Sequence, residues 1–276
     1  MADAGRFGAL IPVLRTDRAD RFADDTAADA YDAGRPPIAP WIVDVLIDRM
    51  DVVFGDRVLD VDAGTGQLTV PLAAAGLRVV ALEPARPLAE RLARHAAAAG
   101  ADSIRLHVAS FEGSGDDIGA VDAVVAASCP GPHSPPFPFQ RAADVLADDG
   151  ALGLVAHHPR LRDASLQWQL NGSVLAAPLE ELRRDPERAM DDVAGALAVQ
   201  RAELVAGGCF SEPWWSLTAR RERWSRERYV AFVASIAATP EHHVIAERRL
   251  ASARLPETIA VTDYVYIAVA RRLPRA

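Results

Sequence analysis

The chain reads as an α/β protein with a mainly parallel, seven-stranded sheet, an antiparallel last strand and a helical insertion. Three observations predict it. From Arg57 to His157, strand-like segments alternate with helix-like ones, which is the pattern of βαβ units. The strand segments are apolar almost throughout, as in AVDAVVAA at 120–127, and fit a sheet covered on both faces. After a long helical stretch the chain returns to strand with TIAVTDYVYIAVA at 258–270, rich in β-branched and aromatic residues. An antiparallel last strand is a common way to finish such a sheet.

The elements follow in order. Residues 1 to 36 form a polar N-terminal cap segment ending in the turn-rich DAGRPP. Pro40 leads into a helix from Trp41 to Met50, with Ile42, Leu46 and Met50 at helical spacing. Arg57–Val61 is a strand and Gln67–Ala75 a helix stopped by Gly76. Arg78–Glu83 is a strand, and Pro87–Ala98 a helix stopped by Gly100. Ser103–Ala109 and Asp122–Ala127 are strands. Phe139–Ala147 is a helix stopped by Asp149-Gly150, and Ala151–His157 a strand. Residues 37–160 thus make one core. Residues 161–208 read as a helical lid, interrupted at Asn171-Gly172 and Asp185-Pro186. Residues 209–276 add a strand at Cys209–Arg223, a helix capped by Ser225, a helix at Glu241–Ala253 and the last strand.

Composition narrows the function. The net charge of −8 disfavours a general nucleic-acid partner. All 30 basic residues are arginine, so a lysine nucleophile or Schiff base is excluded. Cys129 and Cys209 have no metal-type spacing, which predicts no metal site and a reduced, cytoplasmic setting. The N-terminal stretch has early acids and no apolar leader core, and no apolar run has membrane-spanning length.

The stretch RVLDVDAGTGQLTVPLAAAGLRVVALEP at 57–84 carries the chemistry. A strand enters a tight turn, a small-residue helix follows, and a second strand ends on an acid. Glycines 64 and 66 let backbone approach a ligand where a Cβ would clash. The following helix start offers N–H groups to an anion. Glu83, about 20 residues after Asp60, is spaced for a ribose diol. Asp62 stands where such turns commonly carry glycine. One reading is a tolerated turn variant with its side chain turned out. The other is that it crowds or recharges the pocket.

With these residues the chain resembles class I S-adenosylmethionine-dependent methyltransferases, which have a Rossmann-like fold. It is similar to bacterial small-molecule members of the trans-aconitate-methyltransferase-like group. The likeness includes the Y-D-x-x-R-P segment (Tyr31, Asp32, Arg35, Pro36), WSRERY at 224–229 and a tyrosine-containing last strand. It implies a cofactor site of Tyr31, Arg35, Asp60, Asp62, Ala63, Gly64, Gly66, Glu83, Pro84, Ser110, Phe111 and Ala127. In that site Asp60 would hold the cofactor's amine, Glu83 its ribose and Phe111 its adenine, with Arg35 on its carboxylate. It implies methyl transfer to a small molecule at O, N or C, in secondary metabolism, by a monomer or homodimer. His133 and His157 are the candidate bases at strand ends, with His158 beside them. Ser110 stands where the family often has aspartate, and the family's F-H-W-like segment after the fourth strand is replaced by CPGPHSPPFPF. With Asp62, these departures keep open a non-methylating reaction such as a cyclisation. A non-catalytic scaffold is the third reading, and intact Asp60, Gly64, Gly66 and Glu83 argue against it.

Overall fold

The computed structural model describes residues 18–114, 118–127, 137–163, 166, 186–236, 250 and 255–274. Seven strands form one sheet: β1 (Arg57–Val61), β2 (Arg78–Leu82), β3 (Ile104–His107), β4 (Val121–Ala127), β5 (Leu146–Leu161), β6 (Trp214–Ser225) and β7 (Thr258–Arg271). Their order is β3-β2-β1-β4-β5-β7-β6. β1 to β5 are mutually parallel, while β7 runs antiparallel to both β5 and β6. The predicted fold class is therefore the observed one. The reversal of order between β1 and β4 opens a crevice at the carboxyl ends of the strands, where ligands bind in open α/β sheets.

Strand alternation sorts the core into two faces. Leu59, Val61, Val124 and Leu154 belong to one buried cluster, and Val58, Val125, Val155 and Ile267 to the other. Among the described residues the helices are α1 (Arg18–Arg21), α2 (Asp25–Gly34), α3 (Pro40–Met50), α4 (Thr69–Ala74), α5 (Arg86–Ala99), α6 (Phe139–Val145), α7 (Pro186–Ala206) and α8 (Arg226–Ser235). α3 buries Ile42, Leu46 and Met50 on the second face. A Cβ added at Gly153 would meet the Met50 sulfur at 2.8 Å, so β5 uses glycine to admit this helix.

Several boundaries differ from the sequence expectation for local reasons. α4 starts at Thr69, because residues 63–66 are held in the turn by the Gly66 N–H donating to the Ala63 carbonyl at 3.0 Å. The helix after Phe139 ends at Val145, and β5 begins at Leu146. Its Asp148-Asp149-Gly150 segment bulges, so that Leu146 pairs with Val121 and Ala151 with Ala123. Asp149 takes the left-handed conformation there, at φ 62°. β5 also runs on to Leu161, because β7 pairs with it to Val261. The predicted cap at Ser225 is present, its hydroxyl accepting from the Arg228 N–H at 3.2 Å. The proposed lid before Pro186 and the helix proposed at Glu241–Ala253 lie outside the described residues, apart from residues 161–163, Leu166 and Leu250.

The N-terminal helices are part of the folded body. Arg91 of α5 is 5% exposed and holds Asp25 and Asp29 of α2. Phe22 and Tyr31 meet edge to face at 5.2 Å in a cluster with Ala85 and Leu88. Gly34, at the end of α2, lies against α8 so closely that a Cβ would sit 2.2 Å from the Phe232 nitrogen.

Candidate active site

The site is built around two buried carboxylates at the carboxyl ends of adjacent strands. Asp60 of β1 is 1% exposed and Glu83, just after β2, is fully buried. The intervening turn places Asp62, Gly64 and Gly66 at positive φ (55°, 61° and 90°). Two of these are glycines because the conformation favours them. Gly64 has a second reason: a Cβ there would lie 2.6 Å from the Tyr31 hydroxyl.

Glu83 is saturated with donors. Its Oε2 accepts from the Gly64 N–H at 2.8 Å and its Oε1 from the Ala85 N–H at 2.9 Å. Arg18 of α1 supplies the rest, with Nε at 3.1 and 3.0 Å from the two oxygens and Nη2 at 2.9 Å. Arg18 also donates to the Asp62 carbonyl at 3.3 Å, and its Nε is 4.0 Å from the Asp62 carboxylate. Burial opposes the charge on Arg18, and Glu83 and Asp62 more than restore it, raising its pKa above the ordinary value.

Asp60 has fewer donors. Its Oδ2 accepts from the Thr69 hydroxyl at 2.6 Å, and its Oδ1 is buried without a partner. Burial, with Asp62 and Glu83 adding repulsion, pushes its pKa up to about 7 against the pull of Thr69 and Arg18.

Around the turn, His95 of α5 has Nδ1 2.8 Å from the Thr65 carbonyl and Nε2 3.3 Å from Asp32. Arg35 stacks over the Tyr31 ring at 5.0 Å and donates to the Ser235 carbonyl at 3.5 Å. It lines a cavity of about 300 Å³ with Asp32, Thr65, Gly66 and His95. Ala63 is buried and Pro84 and Ala127 are half-buried beside the strand ends. The Ser110 hydroxyl accepts from the Gly113 N–H at 3.0 Å. Phe111 does not present an open ring face for adenine. It is 1% exposed, with its ring 6.2 Å from that of Phe137 and an Arg141 guanidinium on it.

His157, on β5 beyond the end of β4, has Nδ1 2.6 Å from the Asp263 carboxylate of β7. The two side chains are 2% and 1% exposed, and the His157 Nε2 is buried without a partner. A histidine whose Nδ1–H is held by a carboxylate keeps Nε2 as a proton acceptor. His158 points to the opposite sheet face, where burial, then Arg160 and His157, lower its pKa to about 4. His133 lies outside the described residues.

Arg18, Thr69, His95 and Asp263 were not singled out from the sequence. Asp263 had a signal, a lone acid in an otherwise apolar strand. Arg18 had none, being one arginine among many in a polar segment.

The comparisons with known proteins agree with this geometry. Residues 58–150 match the methyltransferase domain family. An uncharacterised methyltransferase of Mycobacterium tuberculosis is 36% identical over 143 residues, which are 52% of this chain and 54% of that protein. A protein-L-isoaspartate O-methyltransferase of Methylorubrum populi is 33% identical over 109 residues, 37% of this chain and 51% of that protein. The chain thus spans about half the length of the curated relatives it matches. A solved structure from Anaeromyxobacter dehalogenans, described as a type II methyltransferase, has the same fold with a TM-score of 0.56 and 20% identity. That match covers 87% of this chain and 99% of the other. Residues 58–150 are therefore similar to a methyltransferase domain, and the chain has a Rossmann-like methyltransferase fold. The cofactor of that class of domain is S-adenosylmethionine, and the residues present fit it. Asp60 keeps a buried oxygen without a partner, an acceptor free for the cofactor's ammonium.

Proposed function

We propose that the protein is an S-adenosylmethionine-dependent methyltransferase acting on a small-molecule acceptor. The observation that supports it most is the unit of Asp60, the Gly64–Gly66 turn and Glu83 at the carboxyl ends of β1 and β2. The Y-D-x-x-R-P segment and WSRERY support the trans-aconitate-methyltransferase-like group. In this reading the enzyme works in the cytoplasm, as a monomer or homodimer.

When bound, the cofactor supplies a methyl group already activated on a sulfonium, with its own leaving group. The residues have to bind, orient and exclude water. Asp60 would hold the amino group through its partnerless Oδ1, and Glu83 the ribose hydroxyls. An O–H or N–H acceptor must also lose a proton. His157 would take it at Nε2, and Asp263 positions the ring by accepting from Nδ1–H.

Calorimetric titration with S-adenosylmethionine and S-adenosylhomocysteine tests the cofactor. Saturable binding of both is expected, and binding of neither sinks the reading. Mass spectrometry of acceptor pools should then reveal products one methyl group heavier. In His157→Gln that product is expected to disappear while S-adenosylhomocysteine still binds. Binding without any methylated product would move the assignment to a non-methylating reaction on the same fold.

A further inference from the structure

Glu83 is the ribose ligand in the reading above, yet it is already fully engaged. A carboxylate offers about four lone-pair positions. Gly64 N–H and Ala85 N–H fill two of them, and the Arg18 guanidinium fills the others in a two-oxygen grip. A bidentate guanidinium and a vicinal diol make the same demand on one carboxylate, a pair of donors side by side. They cannot both be met.

We infer that Arg18 is a built-in occupant of the ribose subsite, and that cofactor binding displaces it from Glu83. This rests on the cofactor reading given above. Behind Arg18 the chain is anchored by Phe22, which is 1% exposed. Displacement is therefore a swing of the Arg18 side chain, with Arg21 staying on the Ser235 carbonyl and α2 in place on α5. Asp62 receives the guanidinium. Its carboxylate is 30% exposed and stands 4.0 Å from Arg18 Nε, on the solvent side of the fully buried Glu83. This gives the acid at position 62 a role. In the left-handed turn it costs strain that glycine would not, and it provides the alternative counter-ion that lets Arg18 leave Glu83 without becoming an unpaired charge.

The test compares S-adenosylhomocysteine binding by calorimetry in wild type, Arg18→Met, Asp62→Asn and the double variant. Hydrogen exchange is followed at residues 18–22 and 62–66. If the occupied form is about nine-tenths of the wild type, Arg18→Met should tighten binding about tenfold, since apparent affinity scales with the competent fraction. Asp62→Asn should weaken it about twofold to threefold alone and do nothing in the Arg18→Met background, the mark of a shared interaction. In wild type the ligand should speed exchange at 18–22 while slowing it at 62–66. Equal affinity of wild type and Arg18→Met overturns the competition and leaves the cofactor reading standing. Weaker binding by Arg18→Met, with both segments protected by ligand, also overturns it and makes Arg18 part of the cradle. No binding by any variant, including Arg18→Met, whose Glu83 is open, overturns the cofactor reading itself. Arg18→Gln gives a second variant should the methionine protein fail to fold.

Discussion

The two ends of the cradle hold similar acids in opposite conditions. Asp60 and Glu83 follow one another at the ends of paired strands, and both are buried from solvent. Glu83 has two backbone donors and a guanidinium; Asp60 has one hydroxyl and an empty second oxygen. Burial alone therefore does not decide what a carboxylate does. The donors around it do: they keep Glu83 in an ion pair, whereas Asp60 without them is pushed up to about 7.

The largest break in this contrast is expected from Glu83→Gln. It removes the partner of the Arg18 charge and sets an amide against the Gly64 and Ala85 N–H groups. Unfolding in urea should show a loss of about 3 kcal/mol, and S-adenosylhomocysteine affinity should fall about a hundredfold. Next is Asp60→Asn, read against pH. The carboxylate that would hold an ammonium is the major form only above about pH 7, so cofactor affinity in wild type should fall as pH drops from 8 to 6. Asp60→Asn should remove that slope and bind about tenfold more weakly at pH 8. Stability goes the other way. The folded pKa lies above the ordinary 3.8, so the folded state binds the extra proton, and stability declines as pH rises from about 4 to about 7. Asp60→Asn should therefore melt higher than wild type at pH 8 and about equally at pH 4. The smallest effect is expected from Asp62→Gly. Relief of the positive φ of 55° should stabilise the fold by about 1 kcal/mol. Tighter cofactor binding by this variant would favour the crowding view of Asp62 over its role as a receiver for Arg18.

What the sequence made legible was local. Asp60, the glycines and Glu83 fall within 24 consecutive residues, and their spacing alone places them at two strand ends. The strands announced themselves because burial on both faces demands unbroken apolar runs. The cradle's contents were hidden because they come from far along the chain. Arg18 reaches Glu83 across 65 residues, and Asp263 reaches His157 across 106. Phe111 misled for a related reason: an aromatic after β3 is compatible with a base stack or a core plug, and only its neighbours Phe137 and Arg141 decide. The bulge at Asp148–Gly150 resembled a helix stop because both use a left-handed residue.

The contact at Gly34 has a consequence for how the two ends of the chain hold together. With no room for even a methyl group between α2 and the backbone of α8, the front of the chain and a helix near its end are welded into one piece. Arg21 and Arg35 add ties to the Ser235 carbonyl from the same side. A substitution at Gly34 is therefore expected to loosen both ends of the chain together.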